Sequence, residues 1–166
     1  MIISIEDITL TDFLSVCAFV MSLSSWIYTA ISNRQKLAFR IHEAKNIPGG
    51  SIFFIQIENL SRMPVAVTRI QLEMQGEFFD CVAIPTFIMG ATTKVGPQVI
   101  GDKAFYSMQI PIELASLGAI SGYIFFDTPQ AVLPAESTTA SFLIHTNRGK
   151  KVKMSLPLPD NFRHTA

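Results

Sequence analysis

The stretch "AVTRIQLEM", residues 66–74, decides the fold class. Ala66, Thr68, Ile70, Leu72 and Met74 recur at every second position, and Arg69, Gln71 and Glu73 stand between the last four of them. Extended backbone sends successive side chains to opposite faces, so this period reads as a strand with one face on a core and the other in water. At helical spacing the same apolar residues would scatter around the axis. The segment is a strand, and it predicts others.

Outward from it, Leu37, Phe39 and Ile41 alternate with Ala38, Arg40 and His42, and "NIPGG" (46–50) marks a turn. Phe53, Ile55 and Ile57 follow, closed by "NLSRMP" (59–64). Downstream, Gly76 breaks to a short strand near 78–84. Then come Tyr106, Met108, Ile110 and Ile112, and "SGYIFFD" (121–127). Phe142 and Ile144 pair with Val152, Met154 and Leu156 through "TNRGK" (146–150). The expectation is seven or eight strands over 37–157 in an antiparallel β-sandwich, with 158–166 as a tail. The architecture resembles immunoglobulin and fibronectin domains, although the Cys…Trp…Cys hallmark of antibody domains is missing. A half-open barrel is the alternative.

Residues 1–36 differ. "FLSVCAFVMSLSSWIYTAI" (13–31) is nineteen residues without a charge, about the length that crosses a ~30 Å hydrocarbon core as a helix. A cleaved secretion signal needs a basic leading segment and a small-x-small cleavage site. Here the first twelve residues carry Glu6, Asp7 and Asp12 and no Lys or Arg. The run is expected to be a retained transmembrane helix. Arg34, Lys36, Arg40 and Lys45 follow it, so the rule that basic flanks stay inside places the N-terminus outside and the β-domain in the cytoplasm of a single-pass protein. The triplet Asn59-Leu60-Ser61 matches a glycosylation sequon, a weak cross-check on that orientation.

Along this helix Thr11, Ser15, Ala18, Ser22, Ser25, Thr29 and Ser32 follow alternating steps of four and three, and all are small. That 3.5-residue period keeps one face towards a partner helix, and small residues let backbones approach in lipid. Self-association or another membrane protein is the expected partner.

Two stretches read as irregular, 85–103 and 128–139. The first carries Phe87, Ile88, Met89, Val95, Val99 and Ile100 and is the expected partner-contact loop. Arg34, Lys36, Lys150, Lys151 and Lys153 are the candidate contacts to anionic lipid headgroups.

Of the 166 residues 49% are hydrophobic and 16% charged, below the roughly 25% of soluble domains. Zero net charge gives no global field for nucleic acid. Cys17 and Cys81 lie in different segments, so no intrachain disulfide is expected. His42, His145 and His164 have no partners at metal-ligand spacing, and no nucleophile or phosphate-loop motif occurs. Neither cofactor, metal nor catalysis is expected. The reading is a membrane-anchored β-sandwich that scaffolds or regulates a membrane complex. The alternative is a filament or surface-structure subunit, whose layout resembles that of type IV pilins without their Gly-Phe cleavage context.

Overall fold

A computed structural model describes residues 10–32, 34–96, 98–134, 136–149, 151–160 and 162, the side chains at 10, 32, 94, 95 and 98–100 excepted. The chain divides into two units, Met1–Arg34 and Gln35–Ala166. The first holds helix α1 (Leu10–Ser32). The second holds ten strands among the described residues: β1 (Leu37–Ile47), β2 (Gly50–Asn59), β3 (Val65–Met74), β4 (Glu77–Asp80), β5 (Phe87–Val95), β6 (Gln98–Tyr106), β7 (Ile112–Leu114), β8 (Ala119–Phe126), β9 (Thr139–Thr146) and β10 (Lys151–Pro157). The number exceeds seven or eight because 85–103, read as irregular, is mostly the hairpin β5–β6. Within 158–166, expected as a tail, Phe162 is buried in the core.

All strand pairs are antiparallel. One sheet runs β1-β2-β8, a second β10-β9-β3-β4 with β7 also on β3, and β5-β6 stand as a third. Phe53, Ile55 and Ile57 of β2 and Ile124 and Phe126 of β8 share a single buried cluster with Val67, Ile70 and Leu72 of β3 and Phe142 and Ile144 of β9. Each such side chain contributes about 1.5–3 kcal/mol by leaving water.

Two β-bulges correct the simple alternation. Val67 pairs with Thr146 and Arg69 with His145, leaving Thr68 as the extra residue. Val65 and Val67 therefore point inward before the bulge and Ile70 and Leu72 after it, while Thr68 is exposed and Ala66 only half-buried. In β1, Ile41 pairs with Ile55 and Glu43 with Phe54, so His42 is extra and the buried face passes from Phe39 to Ala44. An inserted residue reverses the parity of everything beyond it.

The turns follow their residues. Ile47 pairs with Gly50 across Pro48-Gly49, where Gly49 has φ +98°, matching a turn with proline second and glycine third. The stretch 128–139 contains a 3-10 turn (Pro129–Ala131) and buries Ala131 and Leu133. Ser51 Oγ donates to Ala131 O (2.7 Å), and Asn46 Nδ2 to Leu133 O (2.7 Å). Strand β4 stops at Asp80, short of residue 84, because the chain then changes sheets. Cys81 N donates to Ile70 O on β3, and Val82 N to Phe125 O on β8.

Candidate functional site

Helix α1 carries the first set of candidate residues. Every described side chain on it is exposed except Cys17, which is half-buried. Three of its hydroxyls turn inward to their own backbone: Ser15 Oγ donates to Thr11 O (2.8 Å), Ser24 Oγ to Val20 O (2.7 Å) and Thr29 Oγ1 to Ser25 O (2.8 Å). Such back-bonding satisfies a hydroxyl without water, as a low-dielectric medium requires. In the small-residue stripe, Ser15 and Thr29 thus offer small size rather than a hydroxyl proton directed outward. The side chain of Ser32 lies outside the described residues.

The expected contact loop is a two-stranded ribbon with a hydrogen-bonded base. Phe87 and Tyr106 pair in register and meet edge to face, 6.0 Å apart, yet both remain mostly exposed. Ile88 is half-buried. Met89 lines a small cleft of about 50 Å³ with Ile52, Phe54 and Tyr123 of the three-stranded sheet. Phe105 stands 6.3 Å from Tyr123, and Lys103 Nζ lies 4.9 Å above the Phe105 ring. Thr86 N donates to Ser107 Oγ (2.9 Å), and Met108 N to Tyr123 O (2.7 Å), closing the base against the edge of β8. The side chains of Val95, Val99 and Ile100 lie outside the described residues. The ribbon joins apolar residues that the sequence presents as a loop; period-two alternation there is masked by Gly90, Gly96 and Gly101.

The candidate headgroup contacts differ in their surroundings. Arg34, Lys36 and Lys151 are exposed, but Lys153 Nζ donates to Glu73 Oε1 at 2.7 Å across the second sheet. Lys150 lies outside the described residues.

Asn59 is the residue whose role the sequence reading missed. Its Nδ2 donates to Met63 O (2.9 Å) and Ala115 O (2.8 Å), while Oδ1 accepts from Ser61 N (3.0 Å) and Ser61 Oγ (2.5 Å). At 1% exposure the amide is the hub of two turns and is closed to glycosylation in the folded domain. The signal was present as an Asn-x-Ser turn pattern after an apolar strand.

Titratable chemistry is sparse. Arg69 Nε and Nη2 donate to the two Asp80 oxygens at 2.5 and 2.6 Å, and this pairing holds the Asp80 carboxyl below its ordinary value against the opposing effect of burial. Burial, with Lys151 and Arg69 nearby, pushes His145 down, and its Nε2 is 3.1 Å from Gln71 Oε1. Burial pushes the Cys81 thiol up to about 12, so it stays protonated and unreactive. Among the described residues no group of three or more His, Cys, Asp or Glu could hold a metal ion. No protein-family model and no curated protein matches the chain.

Proposed function

We propose that this protein is a single-pass membrane protein holding an interaction module at the bilayer. In this reading α1 spans a cell membrane with the acidic N-terminus outside, and the cytoplasmic β-unit scaffolds or regulates a membrane-associated complex. One observation carries it: Thr11–Ile31 is long and apolar enough to cross a membrane, and none of its most apolar window is buried within the chain. Leaving such a helix in water exposes apolar surface that a bilayer or partner removes. The basic residues that follow it, with none before, support the orientation. For the β-unit we propose an immunoglobulin- or fibronectin-like sandwich, supported by two antiparallel sheets that share one apolar core.

Binding rather than catalysis is the role we assign. Asp80 is neutralised by Arg69 and is a poor base, while the exposed Phe87 and Tyr106 on the ribbon offer apolar contact area. Contact with a second copy or another membrane protein through α1 belongs to the same proposal. The test is a pair of reporter fusions at Ala166 together with affinity purification from detergent-solubilised membranes. Signal from the cytoplasm-active reporter and a co-purifying membrane protein are expected. Activity only from an exported reporter overturns the orientation, and recovery as long homopolymers favours the filament reading.

A further inference from the structure

We propose that the end of the β-unit at which the chain enters it is a second membrane-contact surface, seated on the anionic phospholipid headgroups of the bilayer that α1 crosses. The inference rests on the anchor reading above. Backbone and side-chain hydrogen bonds bring three turns to this end. Leu60 N donates to Lys36 O (2.9 Å), placing the turn at 60–64 beside the entering chain. Leu117 N donates to Ser61 O (3.1 Å) and Asn59 N to Gly118 O (2.8 Å), bringing the turn at 115–118 alongside. Arg148 Nη2 donates to Pro64 O (2.9 Å), and Thr146 Oγ1 to Gln35 Oε1 (3.4 Å), which adds the turn of the last hairpin.

The side chains that these turns present are apolar at their tips and basic around them. Leu60, Met63 and Leu117 are 53%, 38% and 69% exposed. Lys36 and Arg62 are exposed on the same segments, and Arg148 is half-buried beside Pro64. Leu117 is held at φ +55°, a left-handed conformation in which surface turns ordinarily carry Gly or Asn. Such outliers cluster at functional sites, and this one keeps a leucine in water. The bordering carboxylates are Glu113, exposed on β7, and Glu58, which accepts from Gln56 Nε2 at 2.7 Å.

Apolar tips beside Lys36 and Arg62 suit the interface, where leucine reaches the acyl boundary and Lys or Arg meets phosphate. Covalent reach selects the bilayer as occupant over a protein. The helix ends at Ser32, and Gln35 and Lys36 are already bonded within the β-unit. Only residues 33 and 34 intervene, at most ~3.5 Å each, so a bilayer crossed by α1 is within chain reach of this end.

The test uses the full chain with Cys17→Ser in phosphatidylcholine/phosphatidylglycerol vesicles, the buried Cys81 thiol being left in place. An environment-sensitive dye is attached at Leu60→Cys or Leu117→Cys, with Gln75→Cys, at the far end of β3, as control. Contact with the bilayer should blue-shift the first two labels and nitroxide-headgroup lipid should quench them, the third label should show neither effect, and the quenching should fall in phosphatidylcholine alone. Equal quenching at 60, 117 and 75, with Trp26 quenched by acyl-chain nitroxides, overturns this surface while the anchor stands. Unquenched Trp26 overturns the anchor and this inference with it. Quenching at 60 and 117 that persists fully in phosphatidylcholine overturns the commitment to anionic lipid.

Discussion

Phe53 of β2 meets Phe142 of β9 edge to face, with ring centroids 5.3 Å apart and planes at 84°. Both are almost wholly buried, and they belong to different sheets, so this contact joins the two layers. Phe53→Ala removes a ring from a packed interior and should cost about 3–5 kcal/mol. A double-mutant cycle with Phe142→Ala should return a coupling of roughly 0.5–1.5 kcal/mol. Denaturant unfolding of the detergent-solubilised chain, followed by its β-sheet circular dichroism, measures both; strictly additive losses would show that the rings do not couple.

The bulge at Thr68 makes a sharper prediction than alternation alone. Val67→Asp and Ile70→Asp should each unfold the β-unit, because both positions are buried and an unpaired buried carboxylate costs several kcal/mol. Thr68→Asp should be tolerated. Uninterrupted alternation requires Thr68 to behave like Ile70 and Val67 like Arg69, so protease resistance of the three variants separates the two registers.

Gly50 begins β2 where no side chain fits. A Cβ there would lie 1.8 Å from the carbonyl oxygen of Phe126, backbone that cannot swing aside. Gly50→Ala should therefore part β2 from β8 and lower stability by at least the ~1–3 kcal/mol of core overpacking. Gly76→Ala, with open space around it but φ +87°, should lose less, about the ~1 kcal/mol of a left-handed alanine. Thermal midpoints that rank in the reverse order would contradict the β2–β8 register.

Acid should weaken the β-unit in two stages. His145 is held below its ordinary value, chiefly by burial; the folded state resists its protonation, so stability is full above about pH 6.5 and declines as pH falls through that value. Asp80 is held down by Arg69, and its contribution, present above the ordinary carboxylate value of about 4, is lost as pH falls through the lower folded value. Both side chains of the ion pair are half-exposed, so salt should screen the second stage. Arg69→Gln should raise the Asp80 value measured by NMR, and His145→Gln should remove the first stage from the pH profile of unfolding.

If the small-residue stripe is a helix interface, Ser22→Leu or Ser25→Leu should push the partner backbone away and weaken association by roughly 0.6–2 kcal/mol. Leu23→Ala, on another face, should leave it unchanged, and insertion should survive all three. A membrane two-hybrid or crosslinking signal that ignores the serine variants would reduce α1 to a plain anchor.

Much of this was legible in the residues alone. The uncharged run at 13–31 and the period-two alternation at 70–74 and 53–57 determine one apolar helix followed by strands, because hydrophobic period and element geometry are local properties. Pro48-Gly49 and Gly149 mark their turns for the same reason. What only the tertiary structure decided depends on pairing between distant segments. The parity reversals at Thr68 and His42 exist because β9 and β2 skip one residue opposite them. The ribbon β5–β6 takes its register from cross-strand pairs through glycines that leave no apolar pattern. Asn59, outwardly a sequon, became a buried hub because Met63 and Ala115 carbonyls converge on it. Phe162 left the tail for the core, and Leu60, Met63 and Leu117 gathered at one end, because hydrogen bonds between turns far apart in sequence brought them there.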